Sequence, residues 1–158
     1  MFSPVKILLE PASFTLASHV ALFIAMFLSP FAAAIVAIGT TLGFFLGGFP
    51  IVIVARAATH IVFAVVGAAI LKKMPSLLDK IWPAMLFSFL IGILHGLCEV
   101  LAVTPFYLNN AMSPAYYDRG GYFFTVVVLV GVGSVVHSMV DFILALLVWK
   151  PLKKAVRY

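Results

Sequence analysis

His95 and Glu99 lie four residues apart in the apolar run I-L-H-G-L-C-E, so on a helix they share one face. Arg56 with His60, and His137 with Asp141, repeat that spacing, and His19 completes the set of four histidines. An imidazole beside a carboxylate suits proton transfer, metal ligation or the hydrogen bonding of a small polar ligand. Inside an apolar helix every such group is expensive, and it needs a partner or a purpose.

Local motifs narrow these chemistries. His95-x-x-x-Glu99 lacks the second histidine of a zinc-binding helix, and no H-E-x-x-H occurs. Cys98 is the only cysteine, which removes thiolate clusters and intrachain disulfides. The reading therefore assigns no metal and no other cofactor. Ser138 follows His137, but adjacent helical residues point to different faces, and no G-x-S-x-G is present. The glycines near Gly39, Gly43, Gly47 and Gly48 have no lysine beside them and form no phosphate loop. The chain reads as a non-enzyme. A cavity for a small polar ligand fits few charges, aromatic walls and no nucleophile.

The elements that position these groups are membrane helices. Hydrophobic residues make up 65% of the 158 residues and charged residues 9%, with a mean hydropathy of +1.22. A soluble domain with that balance would aggregate. The reading is an all-α integral membrane protein, a compact single bundle of five transmembrane helices, with six as the alternative. Spans are expected at 13–28, 31–46, 50–71, 81–106 and 122–149, after an extended or interfacial lead-in over 1–12. Ala17, Ala21 and Ala25 recur every four residues in the first span, a small-residue stripe suited to a partner helix or to internal packing.

The net charge of +5 is concentrated at Lys72, Lys73 and Lys80 and at Lys150, Lys153, Lys154 and Arg157. Both segments are placed in the cytoplasm, and nucleic-acid binding is not expected. The 108–121 loop, with Asn109, Tyr116 and Tyr117, then lies outside. Splitting the last apolar run at Gly131 and Gly133 would put the basic segments on opposite sides, which argues for five spans. In this topology Arg56 is about 10 Å deep, Glu99 about 12 Å and His95 about 18 Å from the outer end. His19 lies in the outer half of the first span, and Thr104, Asn109 and the Tyr116–Tyr117 loop close the same end. His137 and Asp141, at about 24 and 30 Å from Tyr122, are read first as a structural or coupling pair toward the cytoplasmic side.

Four stretches carry a family resemblance: S-H-V-A-L-F-I-A-M-F-L-S-P (18–30), G-F-P-I-V-I-V-A-R-A-A-T-H-I-V-F-A (48–64), I-L-H-G-L-C-E (93–99) and V-H-S-M-V-D-F (136–142). The chain resembles the substrate-binding S component of energy-coupling factor (ECF) vitamin transporters. That resemblance implies a bacterial plasma-membrane protein of six helices that binds one vitamin or precursor near the outer face. It also implies assembly with a membrane scaffold subunit and two ATPase subunits, which this chain needs because it has no ATPase motif. The chain departs from the pattern in having five good spans, and its first span aligns with the family's second helix. On that alignment the family's first helix is missing, and the docking role of the alanine stripe is open. Arg56, His60, His95, Glu99, Asn109, Tyr117 and His19 are the expected substrate contacts. The ligand classes left open are pantothenate, nicotinate, hydroxymethylpyrimidine and pyridoxine. The alternatives are an autonomous proton-coupled carrier working through His95, Glu99 and Asp141, and a structural subunit without a ligand.

Overall fold

The computed structural model describes residues 6–9, 12–15, 17–118 and 120–155. Two short antiparallel strands, β1 (Lys6–Leu9) and β2 (Ala12–Thr15), pair with Lys6 opposite Thr15 and Leu9 opposite Ala12. Five α-helices follow: α1 (Val20–Leu28), α2 (Pro30–Leu46), α3 (Ile51–Lys73), α4 (Ile81–Leu108) and α5 (Gly133–Ala155). An extended lead-in is expected over 1–12, and the described strands continue to Thr15. The first span was expected from Ser13, and the observed helix is shorter. Ser13 and Thr15 belong to β2, and Ala17 takes a left-handed φ of 66°, which a helix cannot contain. α1 therefore has nine residues, about 14 Å, and does not cross a bilayer alone.

Ser29 separates α1 from α2 by itself. Its extended backbone ends α1 with an N–H bond to Ala25 O (3.1 Å), and its Oγ accepts from Ala32 N (3.1 Å) to cap α2. Pro30 at the first helical position needs no N–H partner there. Three helical stretches are long and apolar enough to cross a membrane: Ile51–Lys73, Ile81–Leu108 and Phe123–Lys154; α2 is a shorter apolar helix. The last of these is continuous, as the five-span reading required. Its first part, Phe123–Val132, is wound with wide π turns before α5 begins.

The helices turn apolar side chains both inward and outward. On α4, Leu86, Leu90, Leu97 and Leu101 are exposed, while Phe87, Ile91, His95 and Glu99 are buried. Hydrocarbon is a good solvent for the first set, and the interior shelters the second. The alanine stripe does not survive as one surface. Ala17 precedes α1, Ala21 is exposed and Ala25 is buried, because a four-residue repeat drifts around a helix of 3.6 residues per turn.

The interior is layered. One apolar cluster contains Phe23, Met26, Phe63, Phe87, Ile91, Phe142 and Leu146. A smaller one contains Val52, Val103, Val126 and Val130. Arg56 and His60 on α3, His95 and Glu99 on α4, and His137 and Asp141 on the last helix fall between these two clusters in sequence. The larger cluster lies toward the lysine-rich end, which the positive-inside bias assigns to the cytoplasm. Lys153 Nζ reaches Asp79 Oδ1 at 3.1 Å, so both basic segments share that end.

Candidate functional site

Glu99 is the hub of the polar layer. Arg56 donates from Nε (3.1 Å) and Nη2 (2.7 Å) to its Oε2, and Ser134 Oγ donates to the same oxygen at 2.6 Å. His60 Nε2 lies 3.3 Å from Oε1. His95 Nε2 lies 3.4 Å from Oε1, within ion-pair reach but out of line for a hydrogen bond. The Glu99 residue is only 3% exposed, so these partners replace its water.

Asp141 is a second hub and is fully buried. Its Oδ1 accepts from Ala17 N and its Oδ2 from His19 N, both at 2.8 Å. Two backbone donors from the turn before α1 thus converge on one carboxylate of α5. That offsets the strained φ of Ala17, which costs about 1–2 kcal/mol. His19 Nδ1 and His137 Nε2 lie 3.3 and 3.4 Å from Oδ2, and Ser18 Oγ lies 3.0 Å from His137 Nε2.

The imidazoles join the hubs. The His19 ring centroid is 4.7 Å from that of His60, 5.1 Å from that of His95 and 5.0 Å from that of His137. His60 and His95 are 4.9 Å apart, edge to face. Phe63 packs against His95 at 4.4 Å and forms the apolar floor. Close approach of α4 to the last helix allows this. A Cβ on Gly96 would sit 2.6 Å from Gly131 O, so only glycine lets Glu99 and Ser134 come together.

The structure brings Arg56, His60, His95, Glu99 and His19 into one cluster. His137 and Asp141 join it, although they were expected as a separate pair nearer the cytoplasm. The π turns of Phe123–Val132 advance less per residue than an α-helix, so both residues lie closer to the outer end than a uniform α rise places them. Asn109 and Tyr117 stand apart. Asn109 is exposed and donates from Nδ2 to Pro105 O (2.8 Å), closing the end of α4. Tyr117 stacks on Tyr107 at 4.8 Å, and its hydroxyl accepts from Met112 N (3.2 Å), tying the loop to itself.

Tyr116, not Tyr117, is the loop residue near the hub. Burial pushes its phenol above the usual value; the Arg56 charge pulls it back and the Glu99 charge adds to the rise. At neutral pH it therefore remains a neutral phenol within electrostatic reach of Arg56 and Glu99. Ser134 was also missed by sequence reasoning. Its signal was present, because residues 134, 137 and 141 follow the i, i+3, i+7 spacing of one helix face. An apolar groove near Ile70, Trp82, Leu86 and Leu90 carries no ionisable side chain and is not the site.

No protein-family model and no solved structure matches the chain. The chain is 41% identical over 155 residues to the "Niacin transporter NiaX" of Lactococcus lactis subsp. cremoris (strain MG1363), covering 98% of this chain and 68% of that protein. With the apolar helices already described, this makes the chain a multi-pass protein of the bacterial plasma membrane that serves vitamin uptake and is not an enzyme. The chain belongs to the family of this niacin transporter, and with it to the S-component class that its four motifs resemble.

Proposed function

We propose that this chain is the membrane-embedded, high-affinity binding subunit for uptake of niacin, the pyridine carboxylate class, and that the Glu99 cluster holds the vitamin. The observation that carries the reading is the buried Arg56–Glu99 pair in a relative of a niacin transporter. Arg56 uses Nε and Nη2 on Glu99, which leaves Nη1 for a ligand carboxylate. Tyr116 adds a neutral phenol within electrostatic reach of the same guanidinium, and the imidazoles supply donors and acceptors for a ring nitrogen. The thinner apolar cluster lies on the outer side, which favours entry from there.

The chain carries no nucleotide-binding motif, so accumulation needs an energy source outside it. We assign that role to a scaffold subunit and two ATPase subunits, on the resemblance to ECF S components. The test is uptake of labelled nicotinate into proteoliposomes. Uptake that requires the scaffold, the ATPases and ATP is expected.

One observation favours a second reading, an autonomous proton-coupled carrier. His60, His95 and His19 form an unbroken run of ring contacts from Glu99 to Asp141, as a proton path would require. Uptake by the chain alone, driven by an imposed proton gradient, would decide for it and against the assembly.

A further inference from the structure

We propose that His19, His60 and His95 form a binding site for a divalent first-row transition metal ion, with zinc as the test case. The three side chains come from three elements: the residue capping α1, then α3 and α4. All three are buried, and one ring nitrogen from each lies within 4.8 Å of the other two. Tetrahedral ligation at Zn–N of about 2.0–2.1 Å sets ligand nitrogens roughly 3.3 Å apart. Closing this set on an ion needs side-chain shifts on the order of 1 Å, within the reach of small χ adjustments.

The orientation of the rings supports ligation independently of their proximity. His95 is 1% exposed, yet neither Nδ1 nor Nε2 has a hydrogen-bond partner among the described residues. A buried imidazole with neither nitrogen hydrogen-bonded, its nearest carboxylate being Glu99 Oε1 at 3.4 Å and out of line, is rare, and a metal ion would satisfy it. His19 turns Nδ1 to Asp141 and His60 turns Nε2 to Glu99, each at 3.3 Å. That leaves His19 Nε2 and His60 Nδ1 for an ion. A ligating histidine ordinarily gives its second nitrogen to a carboxylate in this way.

Charge points the same direction. With neutral imidazoles, the two carboxylates outnumber the one guanidinium of Arg56 in this layer. A dication reverses that excess. His19, His137 and Asp141 form a second donor set. Asp141, however, already accepts two backbone N–H groups at 2.8 Å, so it is the poorer ligand. Linear motifs gave no hint of either set, because the histidines meet only in the fold.

The proposal does not depend on the vitamin reading, and it is tested with the metal alone. Tag-free protein in detergent is stripped with a chelator, re-equilibrated with Zn²⁺, assayed for bound metal and measured by X-ray absorption at the zinc edge. One zinc per chain with three imidazole ligands is expected. His95→Gln should weaken zinc binding by at least about tenfold, while His137→Gln keeps one zinc bound. Because a core substitution at His95 risks unfolding, the imidazole count on the unaltered chain decides by itself. Failure to bind one zinc overturns the proposal. So does a count of two imidazoles with a carboxylate, which would move the ion to the second set.

Discussion

A carboxylate that is 3% exposed and held by Arg56, His60 and Ser134 is committed to its partners. Removing one partner strands the others. Arg56→Ala should destabilise the protein by about 3 kcal/mol, because it leaves Glu99 buried and unpaired. The double change Arg56→Met with Glu99→Gln should cost less than Arg56→Ala alone, which thermal unfolding in detergent can check; an additive result would mean the pair is not coupled. Ser134→Ala should cost about 1.5–3 kcal/mol, the worth of a hydrogen bond to a charged group. The i, i+4 pairs were legible in the sequence because helical spacing alone puts their members on one face. Their convergence was not. Nothing in the spacing of His19 says that Asp141 accepts its backbone N–H and that of Ala17.

Helix packing decides whether these residues meet. Gly96 lies against Gly131 O, and an added Cβ would stand 2.6 Å from that carbonyl. Gly96→Ala should therefore force α4 from the last helix and cost about 1–3 kcal/mol, with loss of ligand binding. Gly39 on α2 has open space where a Cβ would go. Gly39→Ala should leave binding intact and stabilise α2 by about 0.5–1 kcal/mol. Unfolding midpoints of the two variants should move in opposite directions. Span positions were legible from hydropathy for α2, α3 and α4, whose ends fall beside prolines, glycines or lysines, or at Asn109 for the end of α4. The start of α1 was not, because the left-handed turn at Ala17 leaves no mark in an alanine. Nor were the π turns, since a uniformly apolar run such as F-F-T-V-V-V-L-V-G-V reads alike for i+4 and i+5 bonding.

At the scale of the molecule, the bundle is a polar layer between two apolar clusters, with its lysines gathered at one end. The single last helix and the shared side of the basic segments followed from composition and charge; the count of five spans did not hold, because α1 has nine residues and three helices, with the shorter apolar α2, are the ones suited to a membrane. The vitamin did not, because a guanidinium among imidazoles suits several small acids. The claim that this layer is a niacin site is tested most directly by equilibrium binding of nicotinate to the purified chain in detergent. Saturable one-to-one binding is expected, weakened at least about tenfold, or roughly 1.4 kcal/mol, by Arg56→Gln, with Asn109→Ala unchanged. No nicotinate binding by the folded protein, or equal affinity in the Arg56→Gln variant, would contradict it.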